Sequence, residues 1–582
     1  MRTKISWPRS RAGQLSPQRR ERDLRSLRNE TYDVLVIGGG VTGAGAAVDA
    51  ASRGLKTALV ESRDFAAGTS SRSSKLIHGG LRYLEQLNFA LVHEALTERG
   101  LLAESIAPHL VRPLPFLVPL NNVVQRGYYG AGVALYDLLA TAKSRGRGGM
   151  PWHRHLSKRQ TQEVFPHLRS DLHGSIRYFD GQVDDARFVT TLARTAASLG
   201  AAVTASVEAV GLLQTPSGRV RGIKAFDVES GEYFEIRAKS VISAAGVWSD
   251  DIAALTEQPV GIRVQASKGV HLVLPRSAID GDMGIISKTR WSVLFIIPWG
   301  EQWIIGTTDT PWHLNRSHPA ASASDVAYLL EQTNMLLNKQ ITIKDVAGVY
   351  AGLRPLLRGE TDSTSQLSRE HAVVQPAPGL VLVAGGKFTT YRVMAADAVD
   401  AAVPTAPPSG TDRLPLLGAD AYHYYWQRRS KLARHYNQSV PMIEHLLQRY
   451  GCLTPQVLRL SVEQPQLARP VKGAEEYLRA EIVYAARSEG ALHLEDVLTR
   501  RTRISVETPD RGIEAAADAA DLMGAVLNWD EKTREREIDA YHERVAAERR
   551  SQQQPTDDAA EAARLAAVEI RRVRPLATSE AS

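Results

Sequence analysis

The sequence predicts an α/β protein with a helical C-terminal region. Three observations carry that prediction: a strand–turn–helix–strand unit at residues 32–61, a mixture of short strands and helices running to about residue 400, and a change to helical periodicity after a proline-rich stretch at 403–418. The 582 residues are 43% hydrophobic and 23% charged, which provides for a sizeable core and favours two to four domains. No apolar run reaches the roughly eighteen residues of a membrane-spanning helix. The single cysteine, Cys452, excludes an internal disulfide framework and a cysteine-rich zinc site, and fits a reducing cytosol.

Residues 1–30 hold nine Lys/Arg and three acids, so nearly all of the net charge of +7 lies there. They read as a disordered basic extension, with a weak contact to anionic lipid as the functional alternative. The nearly neutral body argues against nucleic-acid binding. Order is expected from Thr31. Residues 32–37 are apolar and β-branched, as in a buried parallel strand. Gly38-Gly39-Gly40 follows, then an alanine-rich helix from Val41 to Arg53 closed by Gly54, then a second strand at 56–60 that ends at Glu61. Further strands are expected at 203–213 and 220–228, at 241–245 and 380–384, and at 293–297 and 303–305. Residues 403–418 read as a linker and 419–548 as a helical cap, with one helix ending at Gly451 and another helical pattern over 476–500. Residues 549–582 read as a flexible tail.

Gly38-x-Gly40-x-x-Gly43 sits between a strand and a helix, and an acid, Glu61, ends the next strand, which is the context of a dinucleotide fingerprint. Gly38 makes the turn tight, Gly40 lets a pyrophosphate approach the backbone, and Gly43 lets helix and strand pack closely. The helix N-terminus offers unpaired N–H groups to the phosphates, and Glu61 can accept from ribose hydroxyls while repelling a 2′-phosphate. This pattern does not separate NAD from FAD. The following segment crowds Thr69, Ser70, Ser71, Ser73 and Ser74 together, then Lys75, His78, Gly79, Gly80 and Arg82. Small donors and glycines suit close packing against a flat polar ring system.

With TSSRSSKLIHGG at 69–80 and HGGLRYLE at 78–85, the chain resembles the FAD-dependent glycerol-3-phosphate dehydrogenases of the glycine oxidase and D-amino-acid oxidase superfamily. SAAGVWSD (243–250), SKGVHLVLP (267–275), FIIPWG (295–300), IIGTTDT (304–310), YAGLRPL (350–356), GGKFTTYR (385–392) and HLEDVLTRRTR (493–503) follow in the family's order. The resemblance implies a Rossmann-like FAD-binding domain interleaved with a mixed-sheet substrate domain over 31–402, plus an α-helical C-terminal cap. It implies oxidation of sn-glycerol 3-phosphate to dihydroxyacetone phosphate, with electrons passed to membrane quinone. An oxygen-using sibling that releases peroxide is the alternative enzyme. A non-catalytic FAD-binding module is a third reading, and a nucleic-acid-binding protein using the basic arm a fourth.

Oxidising a secondary alcohol requires a hydride acceptor, a base for the hydroxyl proton and cations for the phosphate. FAD is the implied acceptor. Arg354, fixed in extended geometry by Pro355, is the implied active-site arginine, close to the substrate hydroxyl or phosphate. His271 shares the catalytic role, as a general base or as a satisfied core residue. Arg82 is expected to bind phosphate by a bidentate fork, with Tyr83 beside it and Lys387 next to substrate and flavin. The expected cofactor set is Gly38, Gly39, Gly40, Val41, Thr42, Gly43, Glu61, Ser62, Thr69, Ser70, Ser71, Ser74, Lys75, His78, Val207, Gly246, Trp248, Lys387 and Thr389. No metal is expected, His153-Arg154-His155 being read as a basic loop. Residues 126–159 combine aromatic and basic side chains, as in an interfacial patch or as in a solvated loop. The expected partners are glycerol 3-phosphate and a quinone or other electron-transfer acceptor, in the cytoplasm or peripheral on the cytoplasmic face of the membrane. The oligomeric state stays open, a homodimer among the options.

Overall fold

The computed structural model describes residues 12–80, 88–141, 150–256, 263–289, 293–358 and 370–571. The strand Thr31–Ile37 runs parallel to Thr57–Glu61 on one side and to Glu232–Ser243 on the other. Ala202–Ala205 and Leu380–Gly385 extend the parallel run outward, and His371–Ala377 adds an antiparallel edge. Parallel strands are covered on both faces, which explains their continuous apolar runs. Val34 and Val36 meet a layer formed by the helices Val41–Ser52, Asp185–Ser198 and Tyr391–Ala402. Leu35 and Ile37 meet the antiparallel strands Val207–Gln214 and Val220–Asp227.

A second, mostly antiparallel sheet takes Val111–Pro119, Ser175–Val183, Val264–Pro275, Gly284–Lys288, Val293–Trp299, Gln302–Gly306 and Gly348–Leu357 among its ten strands. The chain passes repeatedly from one sheet to the other, so the two domains are interleaved. After residue 400 the protein is almost entirely helical, around a core that includes Ile443, Leu447, Leu458, Ile482 and Met523.

Several sequence expectations differ from the structure. Within the extension, Pro17–Asn29 is a helix, capped by Ser16 and pinned by the fully buried Leu27. Its arginines read as solvated, but Arg19 pairs with Asp23 and Arg20 with Asp227, at 2.7 and 2.6 Å. The stretch 403–418 is packed, with Leu414, Leu416 and Leu417 buried. The pattern at 476–500 divides into a short strand, Ala474–Leu478, a helix, Arg479–Ser488, and a second helical piece from Leu494. The single strand expected at 203–213 breaks at Ser206, whose φ of +58° ends one strand before the next begins. Within the tail, Asp557–Leu565 is a helix, and the Arg571 guanidinium pairs with the fully buried Asp496.

The C-terminal region meets the catalytic body across buried ion pairs. Asp64 accepts from Arg500 at 2.5 Å and from Arg501 at 2.6 and 2.8 Å, Arg503 pairs with Asp184 and Asp185, and Arg187 and Arg194 share Glu489. Such pairs fix register between domains, because a misplaced partner would leave a charge buried alone.

Candidate active site

One cavity of about 750 Å³ opens at the carboxyl ends of the parallel strands, within the size range of cofactor and ligand sites. The fingerprint forms its floor. Gly38 takes φ +107°, and a Cβ there would lie 2.6 Å from the Ala244 carbonyl oxygen; a Cβ on Gly43 would lie 1.9 Å from the Gly38 carbonyl oxygen. Gly38, Gly40, Val41 and Thr42 line the cavity. Gly39 and Gly43 do not: Gly39 instead donates its N–H to Glu61 Oε2 at 2.6 Å, and Gly43 serves the helix–strand contact. Ser70 Oγ accepts from the Val41 N–H at 3.0 Å, tying the hydroxyl segment to the helix N-terminus.

Glu61, Ser62 and Val207 line one end of the cavity. Burial raises the Glu61 carboxyl above its ordinary range, against the N–H groups of Arg63 and Gly39. Gly246 and Trp248 form one wall, and Thr69, Ser74 and His78 another. Thr389 stays behind His78, exchanging hydrogen bonds of 3.2 Å with its backbone. Ser71 and Lys75 depart from expectation. Both line a small neighbouring cavity, where the Lys75 ammonium donates to the Ser71 carbonyl at 2.6 Å and to Asp185 at 2.7 Å. Lys75 takes φ +60°, and Asp185 claims its charge. Arg82 and Tyr83 lie outside the described residues.

The far end of the cavity rests on the second sheet. In the register of Val264–Pro275 with Gly348–Leu357, His271 faces Tyr350, Gly269 faces Gly352 and Ser267 faces Arg354. Side chains alternate along a strand, so all six share one face. The glycine pair in the middle makes room for close approach: the Arg354 guanidinium and Thr307 Oγ1 lie over Gly269, and the Arg72 backbone lies over Gly352. His271 is 1% exposed, stacks on Tyr350 at 4.8 Å between ring centres, and shares a 2.8 Å hydrogen bond between Nε2 and Ser74 Oγ. Burial, then the charges of Arg354 and Lys75, hold it well below the ordinary histidine range, so the ring is neutral. Arg354 Nη2 donates to Thr307 Oγ1 at 2.8 Å, and Nη1 lies 3.6 Å from Asp309. Lys387 reaches the same cavity from the end of the first sheet, after Gly385 and Gly386, both at φ +77°.

The arrangement therefore joins a cradle for a dinucleotide to a neutral base and two cations. The donor set fits FAD: glycines at the phosphate turn, a carboxylate at one end and a glycine pair at the other. The model of the family "FAD dependent oxidoreductase" matches residues 33–400, and that of the "C-terminal domain of alpha-glycerophosphate oxidase" matches 409–534. The chain is 50% identical over 572 residues to a glycerol-3-phosphate dehydrogenase of Mycobacterium leprae, covering 97% of this chain and 96% of the relative. The chain belongs to the FAD-dependent glycerol-3-phosphate dehydrogenase family. The human mitochondrial member is 38% identical over 551 residues, covering 90% of this chain and 74% of that protein. The FAD-complexed glycerol-3-phosphate dehydrogenase of Bacillus halodurans superposes with a TM-score of 0.75 at 26% identity, covering 91% of this chain and 97% of the other. FAD is the family's cofactor.

Sequence reading missed Arg316, which lines the cavity while paired with Asp251 at 2.7 Å, and Arg72, which lies between the cavity and the C-terminal arginines. Neither sits in a spacing that signals chemistry. Tyr350 was within reach, because strand alternation from Arg354 puts it on the same face. His153 Nδ1 donates to the Asp137 carboxylate at 2.7 Å, and among the described residues no group of three or more metal-ligating side chains occurs.

Proposed function

We propose that the protein oxidises sn-glycerol 3-phosphate at C2 to dihydroxyacetone phosphate and passes the electrons to membrane quinone. The observation that carries this reading is the convergence of His271, Arg354 and Lys387 on a cavity that begins at the dinucleotide fingerprint. The names of the relatives supply the substrate. Bound FAD supplies the hydride acceptor for the C2 hydrogen.

The residues do the rest. Lys387 and Arg354 place positive charge where a dianionic phosphate and a developing alkoxide need it. His271, neutral and oriented by the Ser74 hydrogen bond, takes the hydroxyl proton. Tyr350 beneath the ring keeps water from one face. Gly269 and Gly352 let the Arg354 guanidinium and the Arg72 backbone approach closely. The backbone amide at Gly40 and the hydroxyl hydrogen of Ser70, whose oxygen accepts from the Val41 N–H, serve the pyrophosphate, and Glu61 the ribose.

A peripheral membrane contact is supported by the helix Val123–Thr141, which exposes Val124, Tyr128 and Leu138 on one face, with Trp152 exposed nearby. Among the described residues no helix is long and apolar enough to cross a membrane. The oxygen-using alternative draws on the oxidase family whose C-terminal domain matches.

Anaerobic addition of sn-glycerol 3-phosphate to the yellow holoprotein is expected to bleach the flavin band. A flavin that dithionite reduces and glycerol 3-phosphate does not would refute the substrate. Reoxidation by a quinone analogue without peroxide is the expected second half, and stoichiometric peroxide would assign the oxidase instead.

A further inference from the structure

The last described stretch, 552–571, contains Asp557, Glu561, Arg564, Glu569 and Arg571, a composition that reads as a solvated tail. Its charges are spent on the catalytic body. Asp557 accepts from Lys268 Nζ at 2.5 Å, and Lys268 is fully buried on the strand that carries His271. Glu561 accepts from the Asn315 N–H, and Gln554 accepts from the Ala323 N–H at 2.8 Å. Glu569 meets His318 and lies 4.0 Å from Arg63. Arg571 grips Asp496 at 2.6 and 2.7 Å and donates to Ser206 Oγ at 2.8 Å.

Two of these anchors, Asn315 and Arg63, lie in segments that wall one end of the cavity, Leu314–Ser317 and Ser62–Arg63, and two more, His318 and Ser206, directly adjoin wall segments, the latter preceding Val207–Ala209; Lys268, Ala323 and Asp496 hold the strap farther from it. The segment itself lines none of that cavity. We propose that residues 552–571 are a strap that clasps the adenosine-side walls from outside and sets how long FAD stays bound. The strap positions and does not touch the reacting atoms. The proposal rests on the functional reading only in taking FAD as the occupant.

The ion pairs are arranged so that the strap can lift without stranding a charge. Lys268 keeps Asp325 at 2.6 Å, Asp496 keeps Arg500 at 2.7 Å, and Arg63 keeps the Ser317 carbonyl at 3.3 Å. Opening therefore avoids the full penalty of a buried, unpaired ion, and the walls lose only their outer brace.

Two proteins test this, both full holoenzymes at the start: a chain ending at Ser551, and the double variant Glu561→Gln with Arg571→Gln. The readouts are the rate of FAD release on dilution, the Kd for FAD by titration of apoprotein, and steady-state kinetics at saturating FAD. FAD release is expected to quicken, and the Kd to rise, by about tenfold or more. Saturating FAD is expected to restore turnover, with an unaltered KM for glycerol 3-phosphate. FAD release within roughly twofold of the parent, or a KM defect that excess FAD does not correct, overturns the strap. If the shortened chain does not fold, the double variant alone decides. A parent protein whose flavin ignores glycerol 3-phosphate refutes the substrate and leaves the FAD-release test standing.

Discussion

Gly269→Ala tests the floor of the site without substituting a charged residue. A Cβ at 269 would stand 2.4 Å from Arg354 Nη2 and 2.7 Å from Thr307 Oγ1. The guanidinium is the far end of a flexible side chain, so it yields before the sheet does, and ordinary van der Waals contact at about 3.4 Å requires it to retreat by about 1 Å. The same movement strains its 2.8 Å bond to Thr307. Gly269 is a non-left-handed residue in a strand, so alanine suits the backbone and the fold is retained. A misplacement of about 1 Å at a catalytic group is worth about a hundredfold, or about 2.7 kcal/mol of transition-state stabilisation. The assay is kcat/KM for glycerol 3-phosphate with a reducible dye, alongside the FAD content per chain. A fall of about a hundredfold with FAD bound is expected. Wild-type kcat/KM in the FAD-loaded variant would refute the placement of Arg354 at the reacting centre.

Arg354→Lys keeps the charge but loses the planar fork; turnover should drop by about ten- to a hundredfold or more with FAD retained, and wild-type turnover would remove the fork from the mechanism. The base form of His271 exists above its pKa, which burial and two nearby cations hold well below 6.5, so kcat/KM should stay level as pH falls through 6.5 and decline only lower. An acid limb centred at 6.5 or above, absent in His271→Asn, would assign an ordinary exposed histidine. Gly43→Ala places a Cβ 1.9 Å from a backbone carbonyl that cannot swing aside, and FAD per chain after purification should fall to a small fraction; full occupancy would show that the turn tolerates a side chain. Asp64→Asn leaves Arg501 without its buried carboxylate, and should cost about 3–5 kcal/mol, read as earlier release of the C-terminal region in urea-dependent proteolysis. An unchanged midpoint would reduce that seam to incidental contacts.

What could be read from the chain depended on whether the signal was local. The strand at 32–37, the glycine turn and Glu61 are adjacent in sequence and impose their geometry on one another, so fold and phosphate cradle were both legible. Long-range pairing was not. Lys75 follows a run of hydroxyl residues and looks like a cofactor contact, but Asp185, a hundred and ten positions on, takes its ammonium into another cavity. The arginines of residues 17–29 looked solvated for the same reason: Asp227 and Glu232 come to meet them from distant strands. Charge counting along a sequence cannot see partners that folding supplies. His271 and Arg354 were found through motifs, but what brings them to one face of the sheet, on either side of the Gly269–Gly352 pair, is a matter of strand register.

That register bears on a tension in the chemistry. A base beside two cations is a poor base at rest, and burial weakens it further. In the proposed mechanism a dianionic phosphate arriving next to Arg354 offsets one of those charges, the other, Lys75, being paired with Asp185, and proton affinity at His271 rises as the substrate seats. The site is thereby most basic when the hydroxyl is present and least basic when only water is near. Neutralisation by substrate is also asymmetric: the product keeps the phosphate but brings a carbonyl in place of the hydroxyl, so the proton on His271 has no alkoxide to return to. Arg354 stands on the same floor, one glycine away from that ring, and its bond to Thr307 keeps it from collapsing onto the histidine in the absence of substrate. Placing the base and the cations on separate strands, with glycines between, allows them to act on one molecule without pairing with each other.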